Sequence, residues 1–156
     1  MIHGNGGHAK VIREILALTG VPPFGAFVAV GDNAARKREA ERLAALHSFG
    51  VLIHPSAVVS LSVVIGPGTV IMAGVIVQAH AVIGRHVILN TGCSVDHGCN
   101  IGDYAHIAPG AHLCGDVVVG EGALVGVGVG VAPGARIPAW SLVKARRLEI
   151  ETVSGH

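Results

Sequence analysis

At 156 residues the chain has room for one full domain and a small appendage, which excludes two large domains. A formal net charge of +1, with 13 % charged and 3 % aromatic residues, supplies neither the basic field nor the stacking rings that nucleic-acid binding uses. The hydrophobic share of 51 % is interrupted throughout by glycine, proline and polar residues, so no apolar stretch reaches the roughly 20 residues of a membrane span.

The opening Met1-Ile2-His3-Gly4 has no basic segment followed by an apolar one, so a cytoplasmic protein is expected. Gly4-Asn5-Gly6-Gly7-His8-Ala9 follows, in which Gly4, Gly6 and Ala9 satisfy G-x-G-x-x-G/A, a pattern that lets a phosphate approach the backbone at a helix start. No acidic residue stands about 20 positions on to hold a ribose, which argues against a dinucleotide cofactor. A helix is expected from Ala9 to Thr19, stopped by Gly20 and Pro22-Pro23, then a strand from Ala26 to Val30. Gly31-Asp32-Asn33 leads into a charged helix from about Ala34 to His47, with Asp32 or Asn33 as its N-cap. Arg36, Lys37, Arg38 and Arg42, interspersed with Glu39 and Glu41, read as a solvated face.

From Ile53 to Leu142 the chain repeats every six residues. The first positions, from Ile53, Val59 and Ile65 through Val95, Ile101 and Ile107 to Val131 and Ile137, are all aliphatic. Four residues after each stands a small or β-branched residue, such as Val75, Cys93, Cys99, Ala105 or Ala123. Neither a helix nor an alternating strand has that period, whereas a coil of three flat sides does, with residues about 18 apart stacked at the inter-strand distance. The expected fold is therefore a parallel β-helix of about five coils over residues 52–142, preceded by a small α/β unit over 1–51 and followed by a tail over 143–156. The last hexad positions Val58, Val64, Val70, Ile76, Val82 and Ile88 point outward yet are apolar, which predicts association. Cys93, Cys99 and Cys114 lack metal or disulfide spacing and are expected to be reduced.

The run from Leu89-Asn90-Thr91-Gly92 through Val95-Asp96-His97-Gly98 and Asp103-Tyr104-Ala105-His106 to Pro109-Gly110 resembles the hexapeptide-repeat sugar acetyltransferases. That family includes sialic-acid O-acetyltransferases and N-acetyltransferases of UDP-linked amino sugars. The likeness extends to Gly4 to Val11, to Val30-Gly31-Asp32-Asn33 and to Ile53 to Ala57. It implies a left-handed, homotrimeric β-helix with sites between subunits, acetyl-CoA as co-substrate and no metal. By that resemblance His97 is the catalytic base, His106, Asn90, Gly115 and Val127 contact the CoA region, and Gly6, Gly7, His8 and Gly31 hold the nucleotide-sugar. Imidazole suits a base that must work near neutrality.

Three departures stand out. Gly98 occupies the place where the family has an acidic partner for the base, so replacing it with Glu is expected to raise turnover. The second strand and acidic loop of the family's first domain are missing between Gly20 and Gly25, and the last coil and tail are short. Two alternatives remain at this level. A γ-type carbonic anhydrase would need three converging histidines, and no trio among His80, His86, His97, His106 and His112 has that family's spacing. A non-catalytic trimeric scaffold, or a degenerate relative that still binds nucleotide-sugar or CoA, fits the departures. His54, His80, His86 and His112 are read as surface or corner residues, and the acceptor is left open between amine and hydroxyl.

Overall fold

The computed structural model describes residues 1–19 and 25–145. Strand β1 (Ile2–His3), helix α1 (Gly7–Thr19), strand β2 (Phe27–Val28) and helix α2 (Asn33–Leu43) come first; two-residue strands follow, from β3 (Leu52–Ile53) to β18 (Leu142–Val143). The abridged segment between Gly20 and Gly25, the Pro22-Pro23 stop and most of the short tail lie outside the described residues.

The repeat winds into a parallel β-solenoid of about five turns with three faces. The first face carries Leu52–Ile53, Val70–Ile71, Ile88–Leu89, His106–Ile107, Leu124–Val125 and Leu142–Val143. The second runs from Val58–Val59 through Ile76–Val77, Ser94–Val95 and His112–Leu113 to Gly130–Val131, and the third from Val64–Ile65 through Val82–Ile83, Asn100–Ile101 and Val118–Val119 to Arg136–Ile137. Pairing is in register, Val77 beside Val95 beside Leu113, so equivalent residues of successive coils stand over one another. Both expected series meet in one core: Ile71, Leu89, Val95 and Ile107 are buried, and so are Val75, Cys93, Cys99 and Ala123 four residues after their predecessors. Backbone groups are satisfied between coils, as when Asp96 N donates to Leu113 O at 3.0 Å and Ser94 N to Ala111 O at 2.9 Å.

The corners need left-handed backbone. Between the first and second faces glycine supplies it at Gly74, Gly92, Gly110 and Gly128. Elsewhere His80, His86, Tyr104, Asp116 and Trp140 adopt it despite their side chains, with φ between 52° and 61°. At the third–first corner His86 and Tyr104 stack with parallel rings 5.4 Å apart, Gly122 leaves a gap, and Trp140 lies across it. Lys37 Nζ enters this gap, 5.7 Å from the Tyr104 ring and 5.5 Å from that of Trp140, and bonds Glu121 Oε1 at 2.6 Å.

The N-terminal unit is a compact βαβ: β1 pairs in parallel with β2, Ile2 beside Phe27, and α1 crosses between them. Helix α1 begins at Gly7, two residues before the expected start, and α2 ends at Leu43 rather than His47. Asp32 is the N-cap of α2, accepting from Ala35 N at 2.7 Å, while Asn33 Nδ2 reaches across to Gly122 O at 3.0 Å. Ala9, Ile12 and Ile15 of α1 pack onto Leu52, Val70, Met72 and Ile88 of the first face. Two of the six outward apolar positions, Val70 and Ile88, are therefore covered by the chain's own helix rather than kept for association. Val58 and Val64 stay 65 % and 62 % exposed, and Ile76 and Val82 are also exposed. Among the described residues no helix is long and apolar enough to cross a membrane.

Arg36 corrects the expected solvated face of α2. The buried positions of that helix are Arg36, Ala40 and Leu43, a helical stripe, and Arg36 is only 1 % exposed. Its guanidinium bonds Val30 O at 3.0 Å and Gly31 O at 3.2 Å within its own unit, and His86 O at 2.9 Å and Tyr104 O at 2.6 Å on the solenoid. Asn33 Oδ1 takes a further bond at 2.9 Å. Among the described residues no carboxylate bonds it; carbonyl oxygens solvate the cation and join the two parts, while burial lowers its pKa to about 10. Replacing Arg36 by Met should cost about 3 kcal/mol or more, because several buried carbonyls lose their donor. Denaturant unfolding followed by circular dichroism tests this, and a loss under 1 kcal/mol would contradict the keystone role.

Candidate active site

Two groups of candidate residues form, at different places on the triangle. The first lies over the first face, where the glycine turn meets the solenoid. Gly4 is required by the fold: its φ is 126°, and a Cβ would stand 2.7 Å from Ala29 O. Gly6 and Gly7 are not, since a Cβ at either would meet nothing within 4 Å. Their surface, at the start of α1, is open to an approaching ligand. Gly31 makes room for His8, whose Cε1 and Nδ1 would lie 3.1 Å from an added Cβ. The His8 ring stands edge-on to His106 with centroids 5.7 Å apart, and its Nε2 is enclosed without a hydrogen bond. Burial first, then the charge of Arg36, lowers the pKa of His8.

His106 points outward from the first face and meets Asn90 on the coil below, Asn90 Nδ2 lying 3.0 Å from His106 Nε2. Asn90 Oδ1 accepts from Thr91 N at 2.8 Å, so the amide NH2 is the end that faces the imidazole. His106 Nε2 therefore accepts, and the ring is neutral with its proton on Nδ1. The same conclusion follows from electrostatics. Burial, then the nearby Arg36 and His8, push the His106 pKa down to about 4, against a backbone hydrogen bond to Gly31 that raises it. With Nε2 capped by Asn90, His106 has no free lone pair with which to take up a proton. A pocket of about 270 Å³ opens beside it, lined by Gly7, His8, Val11, Met72, Asn90 and Thr91.

The second group is at the corner between the second and third faces. His97 lies on the turn after Ser94–Val95, exposed to solvent. Its ring lies on Gly115 of the next coil, where a Cβ would be 2.7 Å from Nε2 and 3.1 Å from Nδ1, so glycine there creates the seat of the imidazole. His97 N donates to Asp96 Oδ1 at 2.9 Å, and Asp116 N to His97 O at 2.9 Å. Gly98 has φ 66°, and a Cβ on it would collide with Asp116 Oδ1. The expected gain from Gly98→Glu is thus opposed by the left-handed backbone, and the Asp116 carboxylate would also have to move aside. Val127 is 65 % exposed on the first–second corner.

The fold thus gathers His8, Gly31, Asn90 and His106, with Gly6 and Gly7 nearby, and seats His97 on Gly115 at the corner opposite the first face. One chain does not bring the two groups together. Among the described residues no set of three His, Cys, Asp or Glu could hold a metal ion. Two features escaped the sequence reading. Burial of Arg36 carried a signal, since 36, 40 and 43 share one helical face; the clash awaiting a side chain at Gly98 carried another, since Asp116 stands eighteen residues after it and hence directly over it.

Several solved structures resemble this chain. PerB from Caulobacter crescentus, in complex with CoA and GDP-perosamine, is 37 % identical, with a TM-score of 0.82 over 92 % of this chain and 87 % of that one. The acetyltransferase domain of PglB from Neisseria gonorrhoeae is 33 % identical, with a TM-score of 0.71 over 95 % and 92 %. WeeI from Acinetobacter baumannii, 19 % identical over 92 % and 95 % with a TM-score of 0.64, shares the fold. Scanning protein-family models and searching curated proteins yields no match.

The neutral histidines at the seam generate a pH dependence. Burial, then Arg36 and Arg85, hold His86 down to about 4, with Asp103 opposing, and His106 is held to a similar value. Unfolding restores both toward about 6.5, so their neutral, packed state contributes fully above that pH and is lost as pH falls toward 4. Melting temperature should therefore drop between pH 6.5 and 4, with the ring signals of His86 and His106 titrating only at its lower end. A flat melting profile across that window would refute this.

Proposed function

Because the chain belongs to the hexapeptide-repeat sugar acetyltransferases, we propose that it moves an acetyl group from acetyl-CoA to an amino group of a nucleotide-linked sugar, with His97 as general base. The carrying observation is His97 itself, an exposed imidazole held by its backbone to two aspartates and seated on a glycine that leaves its ring free. The likeness to PerB, at 37 % identity over most of both chains, supports acyl transfer over the scaffold alternative and favours an amine over a hydroxyl acceptor, since a related structure is a perosamine N-acetyltransferase.

In this reading the acceptor nitrogen attacks the thioester carbonyl directly. The new C–N bond forms as the C–S bond breaks, His97 takes the proton from nitrogen, and CoA leaves as the thiol after receiving a proton. No side chain of the chain is needed as a covalent carrier. Gly6, Gly7, His8 and Gly31 hold the nucleotide-sugar, the open backbone at Gly6 and Gly7 serving its phosphates. His106, fixed neutral by Asn90, orients the acetyl end of the co-substrate, while Gly115 and Val127 flank its path.

Since His97 stands at the corner between the second and third faces and the His8–His106 pocket lies over the first face, the working unit is a homotrimer in which His97 of one subunit meets the pocket of its neighbour. The exposed Val58, Val64, Ile76 and Val82 supply apolar area for that contact. A soluble cytoplasmic setting agrees with this chemistry.

Thiol release from acetyl-CoA against a panel of GDP-, UDP- and dTDP-linked amino sugars tests the reading. His97→Ala should lower kcat at least about 100-fold with assembly unchanged. Subunits carrying His97→Ala, mixed with subunits in which His8 is replaced by Ala, should recover about a quarter of native activity, because statistical mixing leaves about that share of interfaces intact. No recovery would place each site within one chain, and no release with any sugar in the native protein would sink the acetyltransferase reading.

A further inference from the structure

The outward column of the second face changes character at the level of His97. Its lower members, Val58 and Ile76, are exposed and apolar, the part that the proposed subunit contact uses. Above them stand Ser94 and His112, paired in register on successive coils, and then Gly130, where a Cβ would meet nothing within 4 Å. Ser94 comes three residues before His97, and His112 three before Gly115, on which the His97 ring rests. The polar pair therefore spans the same two coils as the proposed base and its seat.

Ser94 Oγ and His112 Nδ1 are 2.8 Å apart. That bond leaves Nε2 as the free ring nitrogen, without a partner among the described residues, on a side chain exposed to solvent. The fold does not depend on the pair. Both strands are held by backbone, Ser94 N donating to Ala111 O at 2.9 Å and His112 N to Val129 O at 2.8 Å. Over the ring Gly130 leaves an open shelf, and Val127 stands exposed at the edge of the face. A path flanked by Gly115 at one corner and Val127 at the other crosses this face, and the free Nε2 of His112 stands on it.

Taking acetyl-CoA as co-substrate, as the proposed function does, we infer that His112, oriented by Ser94 of the coil below, binds the pantetheine arm through its second amide. Three residues of extended chain separate His112 from the seat of His97, about 10 Å. A pantetheine arm drawn out from a thioester at His97 carries its two amides roughly 5 and 10 Å from the sulfur, given ordinary bond lengths. The second amide thus falls at His112. An amide also meets either tautomer of the ring, offering a carbonyl to an N–H and an N–H to a lone pair, whereas a phosphate oxygen meets only the protonated nitrogen.

Calorimetric titration of the full chain with CoA reads this contact without turnover. His112→Ala should weaken CoA binding about 3- to 10-fold, the effect of one hydrogen bond, and Ser94→Ala should weaken it less. His112→Gln, which keeps a donor and an acceptor, should stay within about twofold of native. In the thiol-release assay KM for acetyl-CoA should rise in His112→Ala by the same factor, with kcat within about twofold, and S-acetyl-pantetheine should show the same factor in kcat/KM. A loss seen only with acetyl-CoA would put the contact on the phosphates and overturn the inference. Native CoA affinity in His112→Ala would overturn it alone, whereas a native chain that binds no CoA would sink the acetyltransferase reading and this inference with it.

Discussion

Parallel pairing at a constant offset of eighteen residues governs this molecule. The strand amides find their acceptors on the adjoining coil, so a chain with so little aromatic content and so many glycines still satisfies its strand backbone and closes a core rich in valine, isoleucine, leucine and alanine. The same offset converts sequence distance into spatial contact. Residues far apart along the chain become vertical neighbours at a corner, and the chemistry of a corner is written in columns: glycines at one, His86, Tyr104 and Trp140 at another, His80, Gly98 and Asp116 at the third. Corner side chains are received by glycines in an adjacent coil, as His97 is by Gly115 of the coil after it and His86 by Gly68 of the coil before it.

Charge is distributed along this scaffold in an unequal way. Exposed ion pairs such as Arg85 with Asp103, at 2.8 Å, contribute little and are screened by salt. The seam between the N-terminal unit and the solenoid is different, because Arg36 is buried there among carbonyl oxygens, with no anion bonded to it among the described residues. Burial is the main reason that His8, His86 and His106 are all held toward the neutral form, and the buried cation nearby adds to it by making further positive charge costly. The pocket beside Asn90 inherits that constraint: its imidazoles donate and accept hydrogen bonds as neutral groups, a condition suited to recognising polar ligands without acting as acids.

The fold was legible because a six-residue period leaves few alternatives, and the inward positions Ile71 to Val125 needed no tertiary information to identify. The glycine turn, the cap at Asp32 and the motif around His97 were equally local. What escaped was non-local or contrary to type. Arginine in a charged helix is normally solvated, and only the stripe shared with Ala40 and Leu43 separates Arg36 from its neighbours. Val70 and Ile88 looked like contact surface because the docking of α1 is not encoded in the hexads. The placing of Asp116 over Gly98 was hidden by reading the motif along the chain, whereas a solenoid sets neighbours across coils.

The sequence contains a single tryptophan, and the fold has put it at a useful place. Trp140 lies over Gly122 with Lys37 of α2 against its ring, half-exposed, at the corner where the N-terminal unit grips the last turns of the solenoid. Its emission is therefore a built-in optical gauge of that grip. Any event that lifts α2 from the corner removes the ammonium from the indole face and wets the ring, changing intensity and wavelength without a label and without the core having to open.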